Sequence, residues 1–108
     1  KFGKTEVEAK ALIEDAKALE EAGCFAIIGE MIDGDVAKNI SQSIEIPLIG
    51  IGSGNNCDGQ ILVSNDLLGL STKGVPSFVH PFGNLSENVT KSFQEYKNSV
   101  IERTYPNE

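Results

Sequence analysis

Basic residues, cysteine, histidine and long apolar runs are all scarce in these 108 residues, and each scarcity excludes something. Nine Lys and Arg stand against sixteen Asp and Glu, for a formal charge of −7, and the nine are scattered along the chain. Affinity for a phosphate backbone comes from clustered cations, so nucleic acid is not an expected partner. No apolar run approaches the ~20 residues of a spanning helix, which predicts a soluble segment without a membrane partner. Cys24 and Cys57 are the only cysteines and form neither a disulfide framework nor a metal spacing; a reducing compartment is expected, cytoplasmic or, in a eukaryote, the mitochondrial matrix. His80, the single histidine, reads as a packed or surface residue before it reads as a ligand or base. Lys1-Phe2-Gly3-Lys4 has neither a signal core nor transit-peptide bias, and with no initiator Met it reads as an internal start. The sequons at Asn39, Asn84 and Asn88 are short patterns best assigned to chance.

What is present is an alternation of helical and strand patterns. Thr5-Glu6-Val7-Glu8 has the form of a capping box, and Ala9, Leu12, Ala16 and Leu19 then recur at helical spacing up to Gly23, which closes the helix in a left-handed conformation. The run Cys24–Met31 reads as a buried parallel strand delivering the carboxylate of Glu30 at its C-terminal end. A second helix is expected from about Asp35 to Ser43 with Val36, Ala37 and Ile40 inward, and Pro47 bars its continuation. Leu48–Ile51 is a second apolar strand, ending in the glycine-rich Gly52–Asn56. Asp58–Gly69 fits a strand or a buried helix, with a helix capped by Asp58 favoured; Val75–His80 reads as a third strand and Ser86 onward as a final helix with Val89, Phe93, Tyr96 and Val100 on one face.

Such alternation predicts right-handed parallel βαβ units with helices packed on a sheet. Three strands cannot close a barrel of this class, which needs eight, and alone they leave two sheet edges and an apolar face uncovered. The chain thus reads as part of something larger, and in α/β folds chemistry gathers at the C-terminal ends of the strands, where Glu30 lies.

Three motifs in order carry a family resemblance: Glu21–Met31 (EAGCFAIIGEM), Ile46–Gly54 (IPLIGIGSG) and Cys57–Val63 (CDGQILV). Together they resemble ketopantoate hydroxymethyltransferase, over nearly the whole chain and over the C-terminal part of that enzyme. The resemblance implies a partial (β/α)8 TIM barrel, strands six to eight with their helices, so that residues 1–108 are the C-terminal part of a single barrel domain. It implies transfer of a hydroxymethyl group from 5,10-methylenetetrahydrofolate to 2-oxoisovalerate with magnesium as cofactor, Glu30 as the proton-abstracting base, and Ile51, Ile61 and Val63 around the branched substrate tail. The family's magnesium ligands are expected outside this chain, in the first half of the barrel, and the implied partners are a 2-keto acid, that missing half, and further copies in a homo-oligomer. The chain departs from the family pattern at Gly29, where Leu is usual, at Ile32-Asp33, at Asn65, and at Ser77, His80 and Pro81.

Other readings compete. The Gly50–Asn55 loop lacks GxGxxG spacing and a Walker lysine, so its glycines serve a tight turn and not a nucleotide phosphate. Its junction with Cys57 resembles the catalytic loop of inosine monophosphate dehydrogenase over a few residues only, and with no cation near in sequence Cys57 is expected to be non-nucleophilic. Asp33, Asp35 and Asp58 suggest an acidic metal site, but helix capping explains Asp35 and Asp58 without one. The Glu-rich first helix is expected to be a solvated face. Functional alternatives are a non-catalytic remnant that binds a keto acid or another subunit, and another keto-acid barrel of the phosphoenolpyruvate mutase and isocitrate lyase group.

Overall fold

A computed structural model describes residues 1–108. The order of elements is α1 (Glu6–Glu21), β1 (Ile27–Glu30), α2 (Gly34–Ser43), β2 (Leu48–Ile51), β3 (Gly59–Gln60), α3 (Ser64–Leu67) and α4 (Leu85–Ile101). The three strands form one parallel sheet in the order β1-β2-β3. Two compact units divide the chain, residues 1–62 and residues 63–108.

In the first unit, α1 begins where the Thr5 hydroxyl accepts the Glu8 N–H at 3.2 Å. It ends in a Schellman turn: Gly23 (φ +100°) donates to Glu20 O and Cys24 to Leu19 O, with Gly23 taking the conformation a side chain disfavours. α2 starts one residue earlier than expected, because the capping carboxylate is Asp33, which accepts the Asp35 N–H at 3.1 Å; Asp35 itself lies in the first turn. Val36, Ala37 and Ile40 are buried as the spacing predicts. Together with Ala16 of α1, Ile32, Ile44 and Leu48 they make the core, which sits on the helix-covered face of the sheet.

Two carboxylates fasten this layer. Glu20 accepts the N–H groups of Glu45 and Ile46 at 2.6 and 3.0 Å, so one residue of the supposedly solvated acidic helix ties α1 to the approach of β2. Asp58 accepts the Leu48 N–H at 2.8 Å and the Ser41 hydroxyl at 3.1 Å. That bonding explains why no helix begins at Asp58. Its side chain is turned to the start of β2, and Gly59 and Gln60 pair with Ile49 and Gly50 as β3. Helix is confined to the single turn of α3.

The second unit holds α3 and α4. The strand expected over Val75–His80 does not form: Pro76 has no N–H to give a ladder, Val79 donates back to Pro76 O in a turn, and no strand pairs with the segment. Gly69 (φ +70°) and Gly83 meet so closely that a Cβ on Gly69 would lie 2.1 Å from Gly83 O; backbone bonds from Phe82 and Gly83 to Leu67 O and from Leu85 to Leu68 O close this loop before α4. Val89, Phe93, Tyr96 and Val100 share a face of α4 at helical spacing, and all four are exposed. No helix of the chain is long and apolar enough to cross a membrane.

Candidate active site

Strand register assembles the site. Glu30 is opposite Ile51, and Gly50 is opposite Gln60, so Glu30 and Ile51, which end β1 and β2, and Ile61, just after β3, fall in one row across the sheet. The Ile61 N–H donates to Gly50 O at 3.0 Å, which holds Ile61 in that row although β3 ends one residue before it. Alternation then decides the face. Ile27, Gly29, Leu48 and Gly50 point to the helices, and Ile28, Glu30, Ile49 and Ile51 point the other way.

That other face is open. Of the strand expected over Cys24–Met31, Ile27–Glu30 forms a parallel strand, and with Ile28 64% exposed and Glu30 exposed it is not buried as expected. Phe25, just before β1, is 90% exposed. The face therefore presents a single carboxylate above isoleucines, at the C-terminal edge of a parallel sheet.

Three features fix the chain immediately after Glu30. Met31 takes the left-handed conformation (φ +54°) and donates its N–H to Ile51 O at 2.9 Å, which costs about 1–2 kcal/mol in backbone preference for a non-glycine residue. Phe2 then bridges Ile32, donating to Met31 O at 2.7 Å and accepting from Asp33 N–H at 2.8 Å. Ser53, wholly buried, donates its hydroxyl to Gly29 O at 2.7 Å and accepts the Ile32 N–H at 3.0 Å. Sequence reasoning treated Ser53 as a small loop residue. The signal that could have found it was its place between two turn glycines, Gly52 (φ +66°) and Gly54 (φ +80°), which carry the loop back against Gly34; a Cβ on Gly54 would lie 3.1 Å from Gly34 Cα.

Gly29, the departure from Leu just before Glu30, has a local explanation. A Cβ there would meet Ile32 Cδ1 at 3.0 Å and Leu48 Cδ1 at 3.2 Å, so those two side chains already fill the space. The second departure, Ile32, fills the space left by the first.

Other candidates separate from this row. Val63 lies outside the sheet, as the residue before α3, and is 54% exposed. Cys57 is a partly buried free thiol whose pKa is raised by burial and, secondarily, by the negative charge of Asp58; it is poorly suited to act as a nucleophile. Cys24 is free and exposed. His80 is exposed and stacks edge-on with Phe82 at 6.3 Å between ring centroids. No three carboxylate, histidine or cysteine side chains converge to hold a metal ion, and Asp33 and Asp58 spend oxygens on backbone N–H groups. The residues present thus do not make a magnesium centre by themselves, nor does one carboxylate among isoleucines make a pterin site.

The comparisons agree with one another. The family model described as ketopantoate hydroxymethyltransferase matches residues 1–108. Proteins named 3-methyl-2-oxobutanoate hydroxymethyltransferase are 52% identical in Nitrosopumilus maritimus and 50% identical in Clostridium kluyveri, each over 106 residues that make up 98% of this chain and 38% of the relative. The namesake from Thermotoga neapolitana is 48% identical over 106 residues, 39% of its length. The chain therefore spans less than two fifths of the length of these relatives, and it belongs to the ketopantoate hydroxymethyltransferase family.

Proposed function

We propose that the complete protein containing these residues adds a hydroxymethyl group from 5,10-methylenetetrahydrofolate to 2-oxoisovalerate, giving ketopantoate, and that Glu30 is the base. The observation that carries this reading is the row Glu30, Ile51, Ile61 on the open face at the C-terminal edge of the sheet. Bond formation at the carbon beside the keto group requires that carbon to lose a proton first. A carboxylate presented without an ion-pair partner is free to accept one. Isoleucines beside it suit a branched apolar tail. Val63 joins this lining by family resemblance alone.

In this reading the sheet stands for strands six to eight of a (β/α)8 barrel, with Gly59–Gln60 in the place expected for Val75–His80, residues 1–108 form the C-terminal part of that single domain, and the open face is part of the barrel interior. The remaining strands cover it and bring the magnesium ligands and the folate site. The 108 residues alone are then inactive. Full-length copies associate as a homo-oligomer in the cytoplasm, or in the mitochondrial matrix of a eukaryote.

Glu30→Gln in the full-length protein tests the assignment. It keeps the size and removes the base, and kcat should fall by about 10²–10⁴-fold with the KM for the keto acid little changed. Activity retained in that variant sinks the role of Glu30.

A further inference from the structure

We propose that Ser53 is a positioning residue for Glu30. The inference rests on the reading of Glu30 as base and asks what holds its carboxylate in place. Glu30 is the last residue of β1, and strand pairing alone leaves the end of a strand free to fray. The turn that follows is unfavourable by itself, since Met31 adopts a left-handed backbone without being glycine. A buried hydroxyl spans this turn: Ser53 Oγ donates to the carbonyl of Gly29, one residue before Glu30, and accepts the N–H of Ile32, two residues after it. One side chain thereby fixes both flanks of Glu30 and anchors them to the loop that follows β2.

Of the two groups, the Ile32 N–H depends on this hydroxyl, whereas the Gly29 carbonyl is also an acceptor for Ile51 in the β1–β2 ladder. Without the hydroxyl, the buried Ile32 N–H stays unpaired, the Gly29 carbonyl loses its second donor, and the left-handed turn loses one of the contacts that offset its strain. The consequence falls on the direction of the Glu30 carboxylate more than on binding of the keto acid, because Ile51 and Ile61 are held by strand pairing that Ser53 does not supply. Small misplacement of a base is costly: a shift of about 1 Å can lose about 100-fold in rate.

The test is made in the full-length protein, reading deuterium exchange at the carbon beside the keto group of 2-oxoisovalerate in D2O alongside kcat and KM. Ser53→Ala should slow exchange about tenfold or more while KM stays within about twofold, and on a Glu30→Gln background it should add no further loss, since its effect passes through that carboxylate. Ser53→Cys puts a somewhat larger, weaker donor and acceptor at the same position and should slow exchange measurably. It serves as the deciding variant if Ser53→Ala does not fold. Exchange within about twofold of the parent in either folded variant, or a full further loss on the Glu30→Gln background, overturns the positioning role. Exchange retained by Glu30→Gln itself overturns the base assignment and this inference with it, whereas loss there with retention in Ser53→Ala overturns the inference alone.

Discussion

Residues 1–62 and residues 63–108 are built from equally clear sequence patterns, yet all the buried apolar side chains of the core belong to the first stretch and none to the second. The difference is one of counterparts. α2 meets a sheet, so the spacing of Val36, Ala37 and Ile40 becomes a packed layer against Leu48 and Ile44. α4 carries an apolar stripe at the same spacing and meets no such layer in residues 63–108. Periodicity makes an element amphipathic; only a second surface makes it buried. The open sheet face and the bare α4 face are large exposed apolar areas of the kind that mark an interaction surface, in keeping with the proposed barrel in which other strands cover them.

The comparison is broken most directly by core truncation. Leu48→Ala, at a wholly buried residue of β2, should destabilise the chain by about 2–5 kcal/mol in urea unfolding. Phe93→Ala, at a residue 70% exposed on α4, should change the same measurement by less than about 0.5 kcal/mol. Equal losses at the two positions contradict the contrast between the units.

The next largest effect concerns Asp58. Asp58→Ala deprives the Leu48 N–H and the Ser41 hydroxyl of their acceptor and should cost about 1–3 kcal/mol. Asp58→Asn keeps one acceptor oxygen and should recover part of that. A helix-capping role for Asp58 predicts instead that the loss appears as reduced helicity of residues 58–69, measurable by amide chemical shifts.

The same residue shows where sequence reasoning stops. Elements defined by their own neighbours were legible: the Thr5 cap, the Gly23 stop, the inward face of α2, and the strand Leu48–Ile51 all form as their local patterns dictate. Elements defined by remote partners were not. Asp58 offers the same carboxylate to a helix or to a strand ten residues away, and Val75–His80 has strand-like composition but no neighbouring strand. The row of Glu30, Ile51 and Ile61 was half legible. The family pattern names the residues, while only strand register puts them side by side on the open face. Ser53 was legible only as a residue pinned between two turn glycines; that its hydroxyl crosses to β1 is set by the fold and not by the Gly-Ser-Gly pattern.

The smallest effect separates the two long helices at their first turns. Thr5 precedes α1 and its hydroxyl accepts a backbone N–H of the first turn, satisfying one of the donors every helix start leaves without an internal partner. Asn84 occupies the equivalent place before α4 but makes no such bond. Its amide donates to the Glu87 carboxylate, an exposed side-chain contact, and the first backbone donors of α4 are served by the preceding loop instead, Leu85 by Leu68 O and Ser86 by Gly69 O. Thr5→Ala should therefore cost about 1 kcal/mol, and Asn84→Ala only a few tenths, because an exposed side-chain pair in water contributes little. Amide exchange at the first turn of each helix gives the sharper reading. Glu8 should lose protection in the first variant, while Leu85 and Ser86, bonded to Leu68 O and Gly69 O, should keep theirs in the second. Comparable losses at the two positions would show that the Asn84 side chain supports the start of α4 as much as Thr5 supports that of α1.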